Sequence, residues 1–463
     1  MNRADFLRAG AGTLAVASLR WPARRASASE PVEVTLRSAP LRDGLAYNGT
    51  IPGPLLRVAH GQRIRVRYVS GVDVPTSVHW HGLLLPNDMD GVAGLTQAAV
   101  HRGGEYVYDF VAGPSGTRWY HDHAFQLGMA RGLFGMFVVE DRNEEPADAE
   151  FALVFHDVPV WNSIEAALRG MGTAPMNDPM GSPESMQMDG GKMGDEVTYA
   201  AHCINGASYP NVKRLAVRLG ERVRLRLLNA SPTLTRYVRL AGHSLTVTHA
   251  DGNALAAPVE VDALRIATGE RYDAIVVVRD PGAFLLEGLG GDSLASQQAV
   301  VVYTEGMENA PPLRASPTLE GARVFSYELA GGIAAAAHSE PPDFEMTLGG
   351  GGWKNPRWTI DDRVWPQTPK LRVQRGQVAT LRFRNTSEMD HPMHLHGHIF
   401  ALTEVDGKSL LRPLSKDVVL VAANGGTVTW RIVADAPAGR WLLHCHNEVH
   451  MVDGMMSELV YVS

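Results

Sequence analysis

The stretch His444-Cys445-His446-Asn447-Glu448-Val449-His450-Met451-Val452-Asp453-Gly454-Met455 sets one thiol between two imidazoles. A third imidazole follows five residues after the cysteine and a thioether ten after it. Cysteine, two histidines and a weakly held methionine make the ligand set of a blue-copper electron-transfer site. Cys445, His450 and Met455 fit such a site from this stretch, so its second histidine has to come from elsewhere. His444 and His446 are left over. Along an extended strand, neighbours point to opposite faces while residues i and i+2 share one. Cys445 therefore faces one metal site and both flanking histidines face another. Two metal sites joined through consecutive residues are the wiring of a redox relay.

Three further clusters repeat the H-x-H spacing: His79-Trp80-His81-Gly82, Trp119-Tyr120-His121-Asp122-His123 and His391-Pro392-Met393-His394-Leu395-His396-Gly397-His398. A chain of this length with 18 histidines holds about one such pair by chance, so pairs in four tight clusters are a strong metal signal. Parity divides the ligands. His394 and His396 share a face and His391 takes the opposite one, so His391, Cys445, His450 and Met455 form one mononuclear set. His79, His81, His121, His123, His394, His396, His444 and His446 remain, and eight neutral imidazoles suit a three-copper cluster. The first and third parts of the chain supply four each, which puts the cluster between them and leaves the middle part as a spacer.

The fold follows from a threefold repeat. Tyr47-Asn48-Gly49-Thr50-Ile51-Pro52 leads to Gly61 and the strand Arg63-Ile64-Arg65-Val66-Arg67. Ile204-Asn205-Gly206 through Pro210 leads to Gly220 and Arg222-Val223-Arg224-Leu225-Arg226. Ile360-Asp361-Asp362 through Pro366 leads to Gly376 and Val378-Ala379-Thr380-Leu381-Arg382-Phe383-Arg384. The glycines at 61, 220 and 376 stand 159 and 156 residues apart, too long for a solenoid and right for three similar domains. Alternating apolar and basic residues give the half-buried antiparallel pattern, and each domain reads as a Greek-key β-sandwich or barrel. The expected domains are 32–145, 146–310 and 320–463, with linkers at Asn143-Glu144-Glu145-Pro146 and Glu308-Asn309-Ala310-Pro311-Pro312. Trp161 to Leu168 suits a short helix, and Gly331 to Gly352 an irregular connection.

The chain has 463 residues and a formal charge of −7. Residues 1–28 carry five arginines against Asp5, or +4, leaving −11 on the remainder and arguing against a nucleic-acid partner. The run Ala9 to Leu19 followed by Arg24-Arg25-Ala26-Ser27-Ala28 reads as an export signal cleaved after Ala28. It is too short and glycine-broken to span a membrane. Arg3, Phe6 and Leu7 fit a twin-arginine signal, with Ala4 where its second arginine belongs. With Cys445 on a metal, the two cysteines form no disulfide, and Cys203 reads as a small buried apolar residue.

The four clusters, with the domain repeat, resemble the multicopper oxidases: laccases, bilirubin oxidases and bacterial cuprous oxidases. The resemblance covers the whole mature chain and implies three cupredoxin-like domains with four coppers. By position, His391, Cys445 and His450 match the type 1 ligands, with Met455 axial. His79 and His394 match the type 2 ligands. His81, His121 and His446 match one type 3 copper, and His123, His396 and His444 the other. It implies four one-electron oxidations at type 1, transfer through Cys445 and its flanking histidines, and reduction of O2 to two waters. An axial Met implies a low to moderate potential. Asp90 matches the family carboxylate near the type 2 copper and is the expected proton relay. Met451 stands where several bacterial relatives carry a glutamate, so either Glu448 or water takes that place or proton delivery is weaker.

The donor stays open between phenols or aromatic amines and Cu(I). Met171, Met176, Met180, Met186, Met188 and Met193 fill a segment broken by Pro175, Pro179 and Pro183, either a surface loop or a Cu(I) platform within 171–193. Glu388, Met389 and Asp390, just before His391, are candidate substrate residues. The rival reading is a periplasmic copper buffer without turnover. The expected partners are a small-molecule or metal-ion donor and O2, with no nucleic acid and no membrane span, for an exported monomer, periplasmic or secreted. His60, His101, His156, His202, His243, His249 and His338 read as structural, and His398 as support to a ligand.

Overall fold

A computed structural model describes residues 31–42, 44–125, 127–170, 197–290, 295–335, 341–352 and 355–462. The leader 1–28, the methionine-rich segment 171–193 and His338 lie outside the described residues.

The chain builds three cupredoxin-type β-sandwiches in sequence, each from two sheets. The first has two four-stranded sheets; the second and third each have one of six strands and one of five. In every domain the opening strand runs parallel to the strand after the repeat glycine. Val32–Leu41 pairs with Arg63–Ser70, Ala149–Pro159 with Arg222–Asn229, and Phe344–Gly349 with Val378–Asn385.

The polar turn residue explains why the repeat recurs. Asn48, Asn205 and Asp361 all take φ of +50°, a left-handed conformation that Asn and Asp tolerate. Each then sends Oδ1 to a backbone N–H of its domain's opening strand: Arg37 at 2.7 Å, Val154 at 2.8 Å and Thr347 at 2.7 Å. After the repeat glycine, Gln62, Glu221 and Gln377 accept from the N–H of Ala59, Arg218 and Gln374. Two side-chain hydrogen bonds per domain thus pin the start of each sandwich.

Some expectations shift. The strand Arg63–Ser70 alternates exposed and buried as expected. Arg222–Asn229 is buried on both faces, because its second face meets the linker and the first domain. Arg226 there is neutralised by Glu144 and Glu150, both at 2.7 Å, and by Asp273 at 2.9 Å. Gly331 to Gly352 is not wholly irregular: it holds the strand Phe344–Gly349 and follows the short helix Tyr327–Gly331. Beyond Pro311-Pro312 the chain stays on the second domain, with Leu313 N donating to Ala283 O and Phe325 N to Ala263 O. The expected helix is present as Trp161–Gly170. It packs against the helix Glu448–Asp453.

The first domain has its own apolar core, whereas one continuous core runs through the second and third. Two smaller clusters tie in the first domain: Trp119, Phe134, Val154 and Leu228 join it to the second, and Val92, Leu442, Met451 and Met456 join it to the third.

Candidate metal centres

Two adjacent strands position the mononuclear set. His391–Leu395 pairs with Arg440–Cys445 in a register that places Met393 opposite Cys445 and His394 opposite His444. The chain then turns into the helix Glu448–Asp453. Asn447 caps it, accepting from Val449 N at 3.1 Å and His450 N at 3.3 Å, and Gly454 ends it at φ +116°. Met455 N donates to His450 O and Cys445 N to Met455 O, both at 3.0 Å. The loop thereby folds back and brings His450 and Met455 beside Cys445.

Cys445 Sγ stands 3.7 Å from His391 Nδ1 and 3.6 Å from His450 Nδ1, and those two nitrogens are 3.1 Å apart. All three residues and Met455 are buried. Ser387 Oγ holds the far side of the His391 ring at Nε2, 2.8 Å away. Trp358 stacks on the His450 ring at 4.0 Å. Burial pushes the Cys445 thiol up and holds His391 at about 3. Neutral imidazole is a ligand, and a thiol here needs a metal to deprotonate it.

The eight other imidazoles converge at the seam of the first and third domains. His79 and His121 face each other across the strands His79–His81 and Gly116–His121. His79 Nε2 meets His394 Nε2 at 3.4 Å. The Nε2 atoms of His123 and His396 stand 3.3 and 3.1 Å from that of His444. His446 lies with ring centroids 5.1 Å from His81 and 5.2 Å from His121. The i, i+2 parity therefore holds in all four pairs. None of the other described histidines joins the cluster. His398 donates from Nδ1 to His396 O at 2.9 Å, steadying the ligand-bearing turn.

The pattern of partners tests whether these rings suit metal. His79, His121, His394 and His444 donate from Nδ1 to the backbone carbonyls of Asp90, Asp122, Asp417 and Cys445 at 2.7 to 3.0 Å. Their other nitrogens then bear lone pairs that point inward, an arrangement that fixes tautomers for metal binding. His81 Nδ1, His121 Nε2, His123 Nδ1 and both nitrogens of His446 are buried with no hydrogen-bond partner. Buried ring nitrogens left without partners are costly unless cations satisfy those that face the seam. Burial holds His444 at about 3 and His81, His121, His123, His394, His396 and His446 well below the usual histidine range. The donor set fits copper: imidazole suits Cu(II), thiolate and thioether suit Cu(I).

Carboxyl groups surround the cluster. Asp90, 1% exposed, accepts from His396 Nδ1 at 2.9 Å and has Oδ1 3.4 Å from His79 Nδ1. Glu448 is buried and accepts from Met129 N at 3.0 Å and Ala130 N at 2.7 Å, and burial raises its carboxyl to about 8. Asp122 is likewise raised to about 7 by burial. Of the candidate substrate residues, Glu388 is exposed and Met389 half-buried. Asp390 is paired with Arg265 of the second domain and accepts from Ala423 N at 2.9 Å, so both its oxygens are engaged.

The sequence reading missed the second domain's part. It supplies no imidazole, yet its turn Thr268-Gly269-Glu270-Arg271 lies against the cluster. A Cβ on Gly269 would stand 2.9 Å from the His446 ring, and Thr268 Oγ1 donates to His446 O at 3.3 Å. Gly82, which follows His81, has φ +81° and abuts the Arg271–Asp417 ion pair. The signal that could have shown it is a glycine at each close approach, Gly82 after His81 and Gly269 in the second domain.

A buried Cys-His-His-Met set, joined by adjacent residues to eight imidazoles at a seam between cupredoxin domains, defines a copper redox protein. Comparisons agree. Family profiles described as multicopper oxidase match residues 29–144, 177–304 and 337–463. Multicopper oxidase MmcO of Mycobacterium tuberculosis is 36% identical over 448 residues, covering 94% of this chain and 86% of that protein. Copper resistance protein A of Pseudomonas syringae pv. tomato is 28% identical, covering 93% and 90%. The crystal structure of Fet3p, a multicopper oxidase that functions in iron import, superposes with a TM-score of 0.77 at 19% identity, over 93% of this chain and 90% of that one. The chain belongs to the multicopper oxidase family. It is an oxidoreductase that uses copper to pass electrons from a donor to O2.

Proposed function

We propose that His391, Cys445, His450 and Met455 hold the type 1 copper. His79 and His394 hold the type 2 ion; His81, His121 and His446 hold one type 3 ion, and His123, His396 and His444 the other. Copper bound there supplies one-electron exchange at the first site and a place for O2 to be reduced at the second. The observation that carries this reading is the strand end at His444-Cys445-His446. Cys445 faces His391 and His450, while the ring of His444 closes on His123 and His396. Cys445 C=O accepts from His444 Nδ1 at 2.9 Å, so two covalent links and one hydrogen bond join the two sets.

Asp90 is the proton relay in this reading. Its buried carboxylate takes the proton of His396 at Oδ2 and leaves Oδ1 beside His79, where protons consumed with oxygen must arrive. Donors are phenols or aromatic amines and Cu(I), with Met389 and Glu388, two and three residues before His391, as contact residues; Asp390 between them and His391 is engaged by Arg265 and Ala423. The methionine-rich segment 171–193 serves Cu(I); in support, the helix that precedes it packs on the helix bearing His450. We read the mature chain as a monomer exported to the periplasm on the leader 1–28. Among the described residues, no helix is long and apolar enough to cross a membrane.

One set of variants tests the assignment. Cys445→Ser abolishes the blue absorption and turnover. Asp90→Asn keeps the blue absorption and slows oxygen consumption by about 100-fold, the usual range for a lost acid–base group. Deleting 171–193 lowers Cu(I) oxidation and spares phenol oxidation. Blue colour in the serine variant, or unchanged Cu(I) turnover after the deletion, refutes the corresponding role.

A further inference from the structure

We infer that Arg271, in the second domain, is a positioning residue of the trinuclear copper site, acting through Asp417. The inference rests on the ligand assignment proposed above. Asp417 touches two ligands in different ways. Its Oδ1 accepts from His81 Nε2 at 3.1 Å, and its backbone carbonyl accepts from His394 Nδ1 at 2.7 Å. One residue thus orients a type 3 ring and a type 2 ring, which stack on each other at 3.7 Å with 11° between their planes.

The contact to His81 has a chemical consequence. His79, His121, His394, His396 and His444 are anchored at Nδ1 and present Nε2. His81 alone among the eight is anchored by an acceptor at Nε2. With Nε2 engaged by Asp417, the buried Nδ1, which has no hydrogen-bond partner, is left as the ligand atom. If the Asp417 carboxylate moved away, the ring would be free to adopt the other tautomer, which puts a proton where the metal belongs.

Arg271 keeps that carboxylate in place. Its Nη1 and Nη2 donate to the two Asp417 oxygens, each at 2.6 Å. Its remaining N–H groups go to Thr117 O, Gly269 O and Asp251 O at 3.1 to 3.2 Å. Arg271 and Asp417 are both fully buried. Asp251, also of the second domain, accepts from the N–H groups of Asp417 and Val418 at 3.2 and 3.1 Å, fixing the backbone that carries the His394 acceptor. Lys416 is clamped between Asp251 at 2.9 Å and Glu270 at 3.0 Å. Gly82 makes room for the pair: a Cβ there would lie 2.6 Å from Arg271 and 2.7 Å from Asp417. The middle domain therefore sets which nitrogen of His81 meets the metal, and a planar, forked cation is needed to do it.

The test uses the full chain loaded with copper, and the same chain without it. Arg271→Lys and Asp417→Asn are compared with Arg226→Lys, which disturbs another buried second-domain arginine that touches no ligand. Copper retention is followed against a chelator, with the blue absorption reporting the type 1 ion of the same molecule. In the copper-free protein, histidine 15N NMR reports the His81 tautomer. Arg271→Lys and Asp417→Asn are expected to release the trinuclear copper at about 10–100-fold lower chelator concentration. Their blue absorption stays, and His81 shifts from protonation at Nε2 toward a mixture. The inference is overturned if either variant holds copper as tightly as the unaltered chain. It also fails if Arg226→Lys loses it equally, if the blue absorption goes with it, or if the His81 tautomer is unmoved. Failure of the ligand assignment would show instead as loss of His81's effect itself: His81→Ala would then retain four coppers.

Discussion

At the residue scale, Trp358 covers one face of His450, a ligand in the proposed type 1 set. His450 is 1% exposed and Trp358 is 1% exposed above it, so no phenol touches the His450 ring unless the indole moves. The outer rim of the indole is covered by Gly351, where a Cβ would come within 2.0 Å of the ring and where φ is +71°. Trp358→Ala is expected to destabilise the copper-free chain by about 3 kcal/mol, the cost of a large buried cavity. It should also shift the blue absorption as His450 loosens. Gly351→Ala should do both to a smaller degree, because it pushes on the same ring. Denaturant unfolding and an absorption spectrum check both; unchanged values in Trp358→Ala would remove the indole from this role. Nothing in Gly350-Gly351-Gly352 or Trp358 announces such a contact. The histidines were legible because period-two parity is a local property of a strand. The indole was not, since a stack across two loops leaves no trace in spacing. Asp417 was hidden for the same reason: its partners His81 and Arg271 lie 336 and 146 residues away.

At the element scale, the polar turns were the legible part and the inter-domain faces were not. Asn48, Asn205 and Asp361 recur because each plugs a turn into an opening strand, a contact made within one domain. Arg224 and Arg226 sit in the same alternating pattern as Arg65 and Arg67, yet they are buried while the latter pair is exposed. Periodicity tells which residues share a face, not whether another domain covers it. The second repeat turn has an extra partner. His156, on the strand Ala149–Pro159, accepts from Gly206 N through Nε2 at 3.1 Å and is buried. Burial lowers it to about 4. The unfolded chain binds this proton below about pH 6.5, whereas the native chain refuses it until about pH 4. Protons therefore favour the unfolded state across that window, and stability falls as pH drops from 6.5 to 4. The contribution is about 3 kcal/mol over the full interval, at 1.36 kcal/mol per pH unit. His156→Gln keeps an acceptor for Gly206 and cannot titrate. Its unfolding free energy, compared with the unaltered chain at pH 7.5 and 4.5, should lose less on acidification. An equal loss in both would show that His156 is not a source of the acid sensitivity.

At the scale of the whole molecule, the metal cluster closes a structure that apolar packing leaves unevenly joined. The second and third domains share one core; the first touches it through Leu127 and Ala130 and is otherwise held by two small clusters, one to each neighbour, and by polar contacts at the seam. Arg118 of the first domain reaches Asp251 O at 2.5 Å and Asn253 Oδ1 at 3.1 Å, and Thr117 Oγ1 donates to Asp273 at 2.6 Å. Against this stand four imidazoles from each of the first and third domains, whose facing lone pairs repel until cations bridge them. Without copper, the first domain should be the weakest unit and unfold on its own, as separate cores permit. With copper, its unfolding must break the ligand set and so becomes coupled to that of the third domain. Binding to the native chain alone adds about 2.7 kcal/mol for free copper at 100 times its dissociation constant. Calorimetry of the copper-free protein should show an early transition that merges with the main one on loading. His79→Ala removes one ligand from the first domain's side and should leave the early transition partly in place, while the blue absorption, drawn from the third domain alone, stays. Identical traces with and without copper would mean that the seam is held by its apolar clusters and polar contacts, and that the metal cluster sits in a joint already closed.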